Sequence, residues 1–446
     1  MTDTRIDYWA ESAWLPTGPA EQVRLTEQAG RWVKITTDQP QGSARRLPGL
    51  VLPGFANCHS HAFHRALRGR SHGHDQQGGS FWTWRTAMYE VAGRLDPDSY
   101  LRLARATYAE MALSGITAVG EFHYLHHGPG GAPYADPNAM AAALRQAAAE
   151  AGIRLTLLDT CYLAGGLTTG GHQPLDGIQL RFGDGDADGW AARVAELTAD
   201  DNTRIGAAIH SVRAVPGDQL RTVAEAAGSV PLHVHLSEQP AENQACKEFY
   251  GLTPTALLAE SGVLGSYTTA VHATHLEPDD IAALGATRTT ACFCPSTEAD
   301  LADGIGPARA LADAGAPLSL GTDQHAMIDF FTEARALEMH ERLASGHRGR
   351  FGPAELITAA TAHDSIGWPD AGRLAVGARA DLVAVRTDSP RTAGSTPEQL
   401  IMAATAADVH TVISDGRVIV DDHQHRLGDV GGALTEAIAP LWRSAR

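Results

Sequence analysis

Eight short apolar runs, each leading into a polar loop and then an Ala/Leu-rich stretch, organise the middle of the chain. They are "GLVLPGFANC" (49–58), "GITAVGEFH" (115–123), "IRLTLLDTCY" (153–162), "RIGAAIHSV" (204–212), "VPLHVHLS" (230–237), "TTAVHATH" (268–275), "RTTACFCPS" (288–296) and "APLSLGTD" (316–323). Apolar runs of this length read as buried strands. Segments between them, such as "DPDSYLRLARATYAEMALSG" and "DPNAMAAALRQAAAEAG", start on an acid and stop on a glycine, as helices do. Strands alternating with helices predict a parallel α/β fold, and a count of eight favours a (β/α)8 TIM-type barrel over an open doubly wound sheet. An open sheet would want a glycine-rich phosphate loop after its first strand, and "CHSHAF" is not one.

The two ends read differently. "VRLTEQAGRWVKITTD" near the start, and "GRLAVGARADLVAVRTD" and "VHTVISDGRVIVDDHQH" near the finish, are short alternating strands around Gly/Asp turns. They predict a small β-sandwich built from residues 1–50 and 371–446 beside a barrel of residues 51–370, closed by a helix at "GALTEAIAPLWRSAR".

At 446 residues and 43% hydrophobic content, the chain can bury a large core. A net charge of −17 argues against general binding to nucleic acid or anionic membrane, but a local arginine pocket can still accept a small acid. The polar start "MTDTRIDYWAES" predicts no secretory signal, and no apolar stretch reaches transmembrane length. Five scattered cysteines fit a reduced, cytoplasmic protein.

Reactive groups of such barrels sit at the C-terminal ends of strands, and polar residues recur there. His59 and His61 end the first run, Glu121, His123 and Tyr124 the second, and His210 with Arg213 the fourth. His235 and Glu238 end the fifth, His272 and His275 the sixth, and Asp323 the eighth. His59 and His61 share a strand face, about 7 Å apart along the backbone, and can converge on one ion. Imidazole suits zinc, and a carboxylate can complete a three-His, one-Asp site with room for water. Each residue also has a plainer role open to it. His233 packs lower in the barrel, His275 bonds a loop carbonyl, Asp323 caps a helix, and His126 and His127 are solvated.

The stretches "PGFANCHSHAF", "HVHLSE", "VHATH", "GTD" and "GRLAVGARADLVAV" resemble, in order and over nearly the whole chain, the deaminase branch of the amidohydrolase superfamily. The resemblance implies metal ligands at His59, His61, His235 and Asp323. The lysine that bridges two metals in many members has no counterpart, since Lys34 precedes the barrel and Lys247 follows the fifth strand. One divalent ion, zinc, is therefore expected, in a homodimer. It implies that Asp323 accepts the water proton, His272 steadies the attacking oxygen, and Glu238 carries a proton to the departing nitrogen.

The loops "SFWTWR", "EFHYLHH", "HSVRAVP" and "CPSTEADLADGI" are similar to those of deiminases acting on N-formimino-L-glutamate, a small acidic amidine of histidine degradation. Arg85 and Arg213 would hold its two carboxylates, since the guanidinium fork matches a carboxylate. Tyr124 and His210 would add hydrogen bonds. Trp82 and Trp84 read as packing or lid residues. His64 stands where such deiminases are expected to carry glutamine, and would donate a hydrogen bond to substrate. The rival readings are a deaminase of a guanine-like base or another amidino acid, and a non-catalytic ligand-binding barrel.

Overall fold

The computed structural model describes residues 5–71 and 81–443. Eight strands form one parallel sheet in sequential order: β1 (Phe55–Ser60), β2 (Ile116–His123), β3 (Arg154–Cys161), β4 (Thr203–Ile209), β5 (Leu232–Leu236), β6 (Thr268–His272), β7 (Thr290–Phe293) and β8 (Leu318–Leu320). The sheet closes on itself. Ser60 bridges Asp323 in parallel, and the backbone amides of Thr322 and Asp323 both donate to the His59 carbonyl, at 3.1 and 3.0 Å.

The predicted first run, 49–58, divides in two. Residues Arg45–Leu52 belong to the terminal sheet and only Phe55–Ser60 to the barrel. Pro53 and Gly54 separate them, because proline has no N–H to give a ladder. The predicted helices form as read. Asp96 caps the helix Pro97–Leu113 by accepting the Ser99 amide at 2.8 Å, and Gly152 ends the helix Ala139–Ala151 in the left-handed conformation.

Strands from both termini share a second, mixed sheet. The strand Arg45–Leu52 is its meeting point, parallel to Ile6–Leu15 on one side and antiparallel to Leu382–Val385 on the other. Gly49 makes this approach possible: its φ is +67°, and a Cβ there would stand 2.0 Å from the Val385 carbonyl oxygen. Tyr8, Leu25, Trp32, Leu382 and Ile413 fill the core of this sheet. The C-terminal helix, Val430–Ile438, does not close the terminal sheet as expected. Val430 and Leu434 pack on Ala106 and Ala109 of the helix Pro97–Leu113, on the outside of the barrel. The apolar face of this short helix is covered by the small-residue face it meets.

Arg154 at the start of β3 joins the two sheets. Its guanidinium donates to both carboxylate oxygens of Asp381, at 3.0 Å to Oδ1, and both residues are buried. Among the described residues no helix is long and apolar enough to cross a membrane.

Candidate active site

Strand ends β1, β5, β6 and β8 bring four histidines and an acid to one point. Nε2 of His59 and Nε2 of His61 each lie 3.3 Å from Oδ1 of Asp323. Nε2 of His235 lies 3.2 Å from Nε2 of His59, and the His272 ring stacks on that of His235 with centroids 5.6 Å apart. All five residues are buried. The backbone is unusual at the same point: Ser237, His272, Ala273 and Asp323 have φ of 50°, 68°, 48° and 41°. Left-handed conformations of this kind each cost on the order of 1–3 kcal/mol and persist where surrounding structure over-determines them.

Burial removes the positive charge from the imidazoles, holding His59 at about 3, His61 at about 4 and His235 well below the ordinary value. Burial alone would raise the Asp323 carboxyl, but the His59 hydrogen bond and the surrounding imidazoles hold it well below the usual carboxylate range. His272 goes the other way. Burial opposes its charge, yet the Glu298 contact and the Glu238 and Asp323 carboxylates outweigh it and raise His272 to about 10.

Three neutral imidazoles and one ionised carboxylate with converging donor atoms are the set a divalent cation takes. His61 Nδ1 lies 2.8 Å from the Phe122 carbonyl, a contact that orients the ring and leaves Nε2 a lone pair. The donor set therefore fits a metal. Lys34 lies on the strand Arg31–Thr36 of the terminal sheet and Lys247 on the helix Pro240–Tyr250, so neither sits on a barrel strand. A second group of possible ligands, His123, His126 and Asp159, is already closed by a cation: Arg193 donates to Asp159 at 3.0 and 2.8 Å, and the Trp190 indole adds a third bond at 3.1 Å.

A cavity of about 300 Å³ opens over the His/Asp cluster, within the range of small-molecule sites. His61, His64, Arg85, Tyr124, His210, Arg213, His235, Glu238, His272 and Asp323 all line it, so the expected residues meet in one place, with His59 buried just beneath. Tyr124 Oη lies 2.9 Å from Nε2 of His64. Trp84 is buried, lines the cavity and meets the His64 ring edge-on at 5.1 Å. Arg85 lies over the Tyr89 ring at 5.4 Å. Of "SFWTWR", Ser80 and the side chains of Phe81 and Trp82 fall outside the described residues. Glu238 lies between two cations, with Oε2 3.3 Å from Arg213 and Oε1 3.9 Å from Nε2 of His272.

Two plain roles hold. His275 Nε2 lies 2.8 Å from the Asp303 carbonyl, and His233 Nε2 3.0 Å from that of Ser365, at the opposite end of β5 from the cavity. His126 and His127 are not solvated; both are buried. Their amides donate to the Arg181 carbonyl at 3.1 and 2.9 Å, drawing the loop over β3, and their rings reach the Thr160 carbonyl and the Asp184 carboxylate.

Three acids, Glu242 in the cavity wall and Glu298 and Glu121 behind it, were not singled out from sequence for what they do. Glu242 pairs with Arg213 and accepts the Ser237 amide at 3.0 Å. Glu298 approaches His272 at 3.4 Å. Glu121 accepts the Ser60 hydroxyl and the Ala62 amide, both at 2.6 Å, and burial raises it to about 7. Two of these sit in the first turns of helices, where an acid reads as favouring the helix dipole. Nothing in their spacing names the partner across the barrel mouth.

Residues 50–419 match the amidohydrolase family. The chain is 36% identical over 435 residues, 94% of its length and 95% of the relative's, to a formimidoylglutamate deiminase of Pseudomonas aeruginosa. It superposes on the crystal structure of an amidohydrolase from Brucella melitensis with a TM-score of 0.89 at 31% identity, covering 98% of this chain and 100% of that one. An adenosine deaminase from Xanthomonas campestris with bound zinc shares the fold, with a TM-score of 0.82 at 22% identity over 97% of this chain and 96% of that one.

Proposed function

Because this chain belongs to the amidohydrolase family, we propose that it hydrolyses the terminal C=N bond of N-formimino-L-glutamate to N-formyl-L-glutamate and ammonia, as a step of histidine degradation in the cytoplasm. The observation that carries the reading is that Arg85 and Arg213 line the same cavity as the His/Asp cluster. Two guanidiniums match the two carboxylates of that substrate, and the Pseudomonas relative is named for the same deimination.

His59, His61, His235 and Asp323 would hold a single zinc ion. When bound, zinc supplies Lewis acidity and makes hydroxide available near neutral pH. Arg85 and Arg213 bind the carboxylates and set the distance of the formimino carbon from the cluster. Tyr124, His210 and His64 give that carbon's neighbours hydrogen bonds. The Asp323 carboxylate takes the proton of the attacking water, and Nε2 of His272 holds the attacking oxygen. The new C–O bond forms as the C=N double bond opens and Glu238 gives the terminal nitrogen a proton. When the C–N bond then breaks, the proton held by Asp323 leaves on ammonia and Glu238 takes back the hydroxyl proton as the carbonyl forms. Trp84 covers the His64 side of the cavity and excludes water. The functional unit is a homodimer in this reading.

Ammonia release from N-formimino-L-glutamate by zinc-loaded protein, with guanine and cytosine beside it, tests the assignment. Turnover of the amidine alone is expected. Turnover of a base with none of the amidine would overturn it.

A further inference from the structure

Glu298 follows β7 in the first turn of the helix Pro295–Asp300 and is 2% exposed. It does not line the cavity, whereas His272 and Glu238 do. Its Oε1 accepts the Cys294 amide at 2.8 Å, which pins the carboxylate, and the same oxygen lies 3.4 Å from Nδ1 of His272. The other ring nitrogen, Nε2, faces Oε1 of Glu238 at 3.9 Å. The imidazole thus spans two acids, one behind the wall and one in the cavity.

The backbone under the ring explains why it needs the first of these. His272 is the last residue of β6, and both it and Ala273 have left-handed φ, of 68° and 48°. His272, opposite Leu236, is the last pair of the ladder with β5, so the ring is carried where a regular strand gives way to left-handed backbone and an outside anchor can fix its direction.

We infer that Glu298 is a positioning residue for the hydrolysis: it accepts Nδ1–H of His272 and so turns Nε2 toward the attacking oxygen. The Glu298 oxygen, pinned by the Cys294 amide, faces Nδ1–H as an acceptor, and this contact fixes the orientation of the ring. The inference rests on the proposed deimination for the role of Nε2; the contact itself does not.

Zinc-loaded full-length protein is examined by proton NMR for a downfield imidazole N–H and by steady-state kinetics. The resonance is expected in the wild type, absent in His272→Ala and shifted upfield in Glu298→Gln. Glu298→Ala is expected to lower kcat about 10- to 100-fold with KM within about twofold and zinc content unchanged. Glu298→Gln recovers most of the loss, since the Cys294 amide calls for an oxygen at that place and the amide oxygen still accepts. Glu298→Ala on top of His272→Ala is expected to cost nothing more, because the acid acts through that ring. Losses that multiply, or a downfield spectrum that neither His272→Ala nor Glu298→Gln alters, would overturn the inference. Should Glu298→Ala fail to fold, the Glu298→Gln spectrum decides by the same criterion. Should wild type leave N-formimino-L-glutamate untouched, the deimination reading falls while the spectrum still decides the contact.

Discussion

Oε2 of Glu242 lies 2.7 Å from Nε of Arg213, and the acid is wholly out of solvent. Arg213 reaches the cavity with its fork held from behind, and Nη2 also meets Glu238 at 3.3 Å. Removing one partner of a buried pair costs about 2–5 kcal/mol, much of it from leaving the other charge unpaired. Glu242→Gln is expected to lower kcat/KM for the amidine by at least about 30-fold, at roughly 1.4 kcal/mol per factor of ten. The loss should fall mainly in KM, because Arg213 holds a part of the substrate that does not react. A kcat loss at constant KM would contradict this placement.

Metal removal should show in stability as well as activity. Stripped protein, titrated with zinc, should gain about 2.7 kcal/mol when free zinc is 100 times the dissociation constant. Thermal unfolding with and without zinc reads this directly. His61→Ala and His235→Ala should abolish the gain, since each removes a converging nitrogen. A melting temperature indifferent to zinc in the wild type would speak against the cluster as a metal site.

Two histidines far from the cluster set an acid limit. Burial holds His126 and His363 at about 4, against about 6.5 for an exposed imidazole. The unfolded chain therefore binds protons before the folded one does, and stability falls with falling pH through this window. Their contribution is complete above pH 6.5 and is lost as pH drops toward 4, at on the order of 1.4 kcal/mol per unit for each group. Urea midpoints measured from pH 7 to 4 should fall steadily. Replacing His363 by glutamine should flatten part of that slope, and an unchanged slope would show that this group does not contribute.

The ion pair between the two sheets should matter for folding and not for chemistry. Arg154 and Asp381 are buried, and Asp415 approaches Arg154 Nη1 at 3.1 Å. Asp381→Ala takes the two-point partner from the buried guanidinium and leaves it only Asp415, at a cost of up to about 3 kcal/mol. Denaturant unfolding is expected to show that loss, with kcat and KM of the surviving folded protein unchanged.

Periodicity and spacing carried the barrel and its reactive rim. A buried parallel strand must be apolar along its length, so a histidine or acid at the end of such a run announces itself; His59, His61, His235, His272 and Asp323 could all be found that way. Alternation of side chains along β1 put His59 and His61 on one face without any knowledge of the neighbouring strands. The meeting of both termini in one sheet was legible too, because their short strands with Gly/Asp turns differ from the run–loop–helix rhythm between them.

Tertiary structure alone decided the partners of these groups. Glu242 and Glu298 approach Arg213 and His272 from helix starts 29 and 26 positions away, and local sequence says nothing of contacts at that range. His126 and His127 looked like surface residues because a histidine-rich loop is polar; the Arg181 carbonyl folds that loop inward and burial then strips the His126 ring of its charge. The break at Pro53–Gly54 hands one apolar run to two sheets, because a hydrophobic pattern records burial and not which layer does the burying. Residue type and period are properties of the chain itself, whereas charge state, orientation and partnership arise only when distant segments exclude water from the same space.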